Sequence, residues 1–127
     1  MSEVKKGWDV VRHFENDEFT CRCGCDNNGI SKPLVLMLDD ARELAQIPFK
    51  INSGFRCLKH NEKIGGVKDS SHCKGLAVDI ACNDDKRRFF IVSALISVGF
   101  KRILIYDTFI HVDIDLEKPN PIIKIMK

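Results

Sequence analysis

Apolar positions recur along this chain with two different periods, and the changes of period mark its elements. Leu34, Leu38, Ala41 and Ala45 return at helical spacing, while Asp39, Asp40, Arg42 and Glu43 fall mainly on the opposite side. Ser31 or Lys32 is the expected cap, Pro33 fits the first turn, and Pro48 ends the helix. Phe49 to Ser53 reads as a strand, Gly54 as a sharp turn, and Leu58 to Ile64 as a short helical segment. Ala77 to Ala81 then alternates. Val78 and Ile80 share one face, and Gly75, Ala77 and Asp79 share the other if extended geometry starts that early. Asp84 to Val98 returns to the helical period, with Asp84 and Asp85 at the positive end and Gly99 as the stop. Phe90, Ala94 and either Ile91 or Leu95 are its expected core face. Ile103 to Ile105 is a buried strand that turns at Tyr106-Asp107-Thr108 into Phe109 to Asp115. There Ile110, Val112 and Ile114 form the apolar face, and His111 and Asp113 lie opposite. Residues 9 to 20 read as loop or short helix with Phe14 and Phe19 against the core, Asp26-Asn27-Asn28-Gly29 as a turn, and Pro119-Asn120-Pro121 as the start of a tail.

The chain has 127 residues, which predicts one domain, 1–127, with a single core. A hydrophobic content of 44% and a charged content of 30% are globular values. The net charge of +2 and the absence of a basic run give no reason to expect a nucleic-acid partner. No segment is long enough to span a bilayer, and a monomer is expected. Met1 to Trp8 is polar and lacks the apolar stretch of a secretory signal, so cytoplasmic synthesis is expected.

The polar positions inside the apolar strands carry the chemistry. Ser70 to Asp79 spells S-x-H-x-x-G-x-A-x-D, and His111-Val112-Asp113 follows far downstream. His72, Asp79 and His111 are two imidazoles and a carboxylate that can converge on one zinc ion and leave a fourth position for water. Two neutral ligands and one anion leave the metal positive, which acidifies water. Taken singly, each residue has a bland reading as a surface or core side chain. Together they outweigh it, because Asp79 lies in an apolar strand where an unpaired charge is expensive.

Several ordered motifs resemble peptidases of the M15 type, the zinc D-alanyl-D-alanine carboxypeptidase and endolysin group, in its short branch. They are Ser53-Gly54-Phe55-Arg56, His60-Asn61, Gly65-Gly66, Ser70 to Ile80 and Phe109 to Asp113, spanning about residues 8 to 115. The resemblance implies a small α+β fold, an antiparallel sheet packed with helices as in the hedgehog and DD-peptidase domains. It implies zinc as cofactor and hydrolysis of peptide bonds in the peptidoglycan stem or cross-link. Without a signal segment, it further implies a phage or prophage lysin acting on the cell wall after release. Arg56 corresponds to an arginine facing substrate, where a guanidinium binds a carboxylate or steadies an oxyanion. Ser70 is expected to bond substrate or brace the loop, and His60 to be structural. Longer relatives carry an acid three residues before the second histidine, where this chain has Thr108. That leaves Asp113, as base or as a partner orienting His111, ahead of Asp107. The competing function is a hedgehog-like zinc domain that binds a peptide or wall fragment without cutting it. A phage structural protein using the domain as an assembly piece is a third.

Six cysteines remain: Cys21, Cys23, Cys25, Cys57, Cys73 and Cys82. Cytosolic synthesis predicts free thiols. Cys21, Cys23 and Cys25 suggest a second metal, but their spacing is tighter than common structural zinc motifs, so none is expected. Cys73 is expected to be a small buried hydrophobe.

Overall fold

A computed structural model describes residues 8–25 and 28–127. The polar segment before Trp8 and the first half of the turn at Asp26-Asn27 lie outside the described residues. A 3₁₀ helix, Asn16–Phe19, precedes α1 (Lys32–Ala45), β1 (Ile51–Ser53), α2 (Leu58–Lys63), β2 (Ala77–Ala81), α3 (Asp85–Ser97), β3 (Arg102–Ile105), β4 (Phe109–Asp113) and β5 (Ile122–Ile125). The fold is α+β, as expected.

The helix ends follow local chemistry. Ser31 caps α1, its hydroxyl accepting the Leu34 amide proton, and Pro33 sits where no amide donor is needed. Asp84 caps α3 by accepting from the Arg87 amide at 2.8 Å. Gly99, at φ +107, turns the chain out of α3.

The sheet has the order β1-β2-β4-β3-β5. The first four strands are antiparallel, but β5 adds parallel to β3. The expected all-antiparallel sheet is therefore a mixed one, and the expected tail after Pro121 is its edge strand. Ile122, Ile123 and Ile125 read as a strand only when β3 is beside them, because Ile123 and Ile125 stay exposed.

Val78, Ile80, Ile103, Ile110 and Val112 bury one sheet face against Leu34 and Leu38 of α1 and Ile91 and Leu95 of α3. Ile91 and Leu95 both belong to the core, whereas Phe90 is 40% exposed and is not part of it. Phe14 and Phe19 do pack into the core, their rings 5.4 Å apart. The helices cover one face, so the polar positions of β2 and β4 emerge together on the other.

Candidate metal centre

Asp79 and His111 are directly opposite each other on β2 and β4. Register alone therefore brings together two side chains that are 32 residues apart in sequence. His72 reaches the same point from the turn before β2. Its Nδ1 lies 2.8 Å from the Gly54 carbonyl oxygen, its amide donates to Ser70 Oγ, and its carbonyl accepts from the Arg56 amide. Ser70, expected to bond substrate or brace the loop, thus accepts from the loop's own His72 amide. Ser71 Oγ donates to buried Asp115 at 2.7 Å, and Lys74 Nζ donates to the same oxygen at 2.9 Å. Gly75 closes this turn at φ +74, with the Gly29 carbonyl oxygen 2.0 Å from where a Cβ would stand. Its small size makes room for that carbonyl.

The ligand atoms of His72, Asp79 and His111 all lie within 4.8 Å of one another. Asp79 Oδ1 is 3.2 Å from His72 Nε2 and 3.0 Å from His111 Nδ1. A carbonyl oxygen only accepts, so His72 Nδ1 carries the proton and Nε2 of the neutral ring presents a lone pair. His111 Nε2 faces Asp113 Oδ2 at 2.8 Å, which places its proton there and turns the Nδ1 lone pair inward. Three acceptors thus point at one place. Either a cation or additional ring protons must stand between them, and two imidazole nitrogens with one carboxylate oxygen suit zinc. Where ring protons rather than a cation fill that gap, burial would push the Asp79 carboxyl up, but hydrogen bonds from His111 and His72 outweigh it and hold it down at about 2. Burial works against the charged His111 ring too, yet the Asp113 and Asp79 carboxylates prevail and raise its pKa.

Asp113 stands behind His111, on the far side of the ring from Asp79. Its Oδ2 also accepts from Arg102 Nε at 3.0 Å, and its Oδ1 accepts from the Asp115 amide at 3.0 Å. The side chain is wholly buried. Arg102, unremarked in the sequence, anchors this network and also donates to the Pro119 carbonyl.

The three candidate ligands line a groove of about 500 Å³ together with Arg56, Asp69, Ser70, Tyr106 and Phe109. Arg56 Nη1 donates to buried Asn61 Oδ1 at 2.8 Å and has no carboxylate partner among the described residues. The surface ion pair that an isolated arginine would suggest is therefore not its setting. Tyr106 and Phe109 stack at 4.2 Å with their planes 12° apart, forming an aromatic wall. They flank a turn, where no periodicity marks them, and meet only because the hairpin closes through the Tyr106 amide and Phe109 carbonyl. Asp107 is exposed in that turn and does not line the groove. His60 is likewise away from it. Cys73 is half-buried, and burial raises its thiol pKa, which disfavours a nucleophilic thiolate.

A sheet whose one face is core and whose other face presents three convergent metal-ligand atoms in a groove is built to hold one metal ion there. A family profile described as Peptidase M15 matches residues 12–113, and the chain belongs to that family, whose peptidases are zinc-dependent. No curated protein matches the sequence.

Proposed function

We propose that this chain is a zinc peptidase that hydrolyses peptide bonds of bacterial peptidoglycan, with His72, Asp79 and His111 as the metal ligands. The observation that carries the reading is the convergence of three lone pairs at the floor of a groove walled by Arg56. Zinc bound there supplies a Lewis acid that polarises a peptide carbonyl and acidifies water.

The chain's own groups do the rest. Asp113 holds the Nε2 proton of His111 and so keeps Nδ1 directed inward. Its carboxylate is enclosed and fully engaged, so it takes the orienting role of the two that the sequence left open. Arg102 Nε donates to the same carboxylate and holds it in place. Asp79 and Asp69 are the carboxylates lining the groove among the described residues, and Asp79 is committed as a ligand. We therefore assign proton transfer from water to Asp69. Arg56, steadied by Asn61, donates to the oxygen on which charge builds or grips a carboxylate of the stem peptide. Tyr106 and Phe109 give an apolar bed for a peptide side chain. The setting we propose is a lysin of phage or prophage origin.

Digestion of purified peptidoglycan, with the new termini identified by mass spectrometry, tests this reading. New free D-Ala, new L-Ala carboxyl ends or cleaved cross-links identify carboxypeptidase, L-Ala-D-Glu endopeptidase or cross-link endopeptidase action. One observation favours a second reading: no carboxylate of the β3–β4 hairpin faces the groove. A zinc-loaded chain that binds wall fragments but releases no new termini would be a recognition module.

A further inference from the structure

A second cluster of metal-binding atoms lies outside the groove. Cys21, Cys23, Cys25 and Cys57 place their Sγ atoms within 4.8 Å of one another, and they share no lining residue with the groove. Cys21 and Cys23 are 3.5 Å apart, and Cys23 and Cys57 are 3.7 Å apart. Zinc–sulfur bonds of about 2.3 Å in a tetrahedron require sulfur–sulfur edges of about 3.8 Å. All six cysteines are free thiols. The spacing is that of a coordination shell into which one metal ion fits.

The backbone is arranged for it. Three cysteines within five residues cannot converge on an extended chain, because alternate side chains would point along one line about 6.6 Å apart. Gly24, at φ +89, folds the segment back so that Cys25 rejoins Cys21 and Cys23. The fourth sulfur comes from the cap of α2. The Cys57 amide donates to Cys21 Sγ at 3.4 Å, and the His60 amide donates to Cys57 Sγ at 3.4 Å. Such amide donors stabilise thiolate ligands. Four thiolates on a divalent ion leave two negative charges, and Arg22, Lys59 and Lys63 line the same hollow to offset them.

We infer that Cys21, Cys23, Cys25 and Cys57 bind a structural zinc ion that staples the 21–25 segment to the start of α2. Four protons leave and no electron moves. The expectation from spacing alone, that no metal sits here, missed the fourth ligand, which lies 36 residues from Cys21 in sequence. The staple ends one residue after Arg56, so it also fixes a wall of the groove.

The test is cobalt loading of the full chain, purified under reducing conditions. A four-thiolate site gives intense tetrahedral bands in the red and thiolate-to-metal charge transfer in the near ultraviolet. A site of two histidines and one aspartate gives no such charge transfer. The charge-transfer band should survive in a His72→Ala, His111→Ala variant and vanish in a Cys23→Ser, Cys25→Ser variant. Should either variant fail to fold, the wild type alone decides. Titrating its thiols with a mercurial in the presence of a chromophoric chelator should release one zinc per four cysteines blocked. Cobalt-loaded wild type without thiolate charge transfer, no zinc released by thiol blocking, or recovery of these cysteines as disulfides in freshly isolated protein would each overturn the inference.

Discussion

At the scale of single residues, the site is decided by where lone pairs point. His111 serves Asp79 with one nitrogen and Asp113 with the other, so its tautomer is set by the buried carboxylate behind it. Asp113→Asn removes that control. Loss of such a supporting partner lowers metal affinity by about 10–100-fold, which competition with a chelator measures; unchanged zinc affinity would separate Asp113 from the metal altogether. Arg56 is outside the ligand set, and its replacement should act on rate alone. Arg56→Ala should retain zinc and fold while turnover falls by about 10²–10³, as for other donors to a developing oxyanion. Activity near wild type would leave Arg56 as a bystander tied to Asn61. Asp69→Asn should abolish hydrolysis with zinc retained, and Asp107→Asn should be mild. The opposite ranking would transfer the base to the turn.

At the scale of elements, the N-terminal segment is fastened to α1 by one buried carboxylate. Asp39 accepts from the Arg12 and His13 amides at 3.0 and 2.9 Å and from Arg12 Nε at 3.1 Å. Burial pushes its pKa up, but these bonds outweigh it and hold it below the ordinary carboxylate value. A depressed folded-state pKa gives stability that is complete above about pH 4 and is lost as pH falls through the lower folded value. Asp39→Ala should therefore cost about 1–3 kcal/mol near neutrality. The gap between variant and wild type should narrow in acid, as urea midpoints across pH would record. Parallel curves would mean that Asp39 carries no linked proton. Elements with a strong period were legible from the chain: α1, α3, β2 and the β3–β4 hairpin follow from where apolar side chains recur. Phe90 was misplaced because several apolar residues crowd α3, and only packing decides which of them face the sheet. Strand β5 was missed because its identity comes from pairing with β3. Gly54 reads as a turn residue in the sequence, yet its smallness serves a close approach, with the Phe19 Cα 2.7 Å from where a Cβ would stand.

At the scale of the whole molecule, core and site occupy opposite faces of one sheet, and this separates folding from metal binding. Phe19, Leu34, Leu38, Ile80, Ile91 and Leu95 are fully buried without any metal ligand among them. Asp79 and His111, in contrast, stand out as candidate ligands because they interrupt apolar alternation, and His72 through the motif it shares with Asp79, while the groove walls come from distant loops that no local pattern connects. A fold held by its core should remain cooperative when the groove metal is removed. Zinc should then act as a ligand of the folded state, contributing about 2.7 kcal/mol at a free concentration 100 times its dissociation constant. Thermal unfolding in a Cys23→Ser, Cys25→Ser background isolates this contribution, since only the groove site then titrates. The expected result is a single transition in chelator that moves up by several degrees as zinc is added, with the midpoint rising as the logarithm of free zinc. A metal-free chain with no cooperative transition would show instead that the three converging acceptors, left unneutralised beneath the sheet, are enough to unfold the domain. A midpoint indifferent to zinc would remove the metal from the groove and leave Asp79 neutralised by ring protons alone.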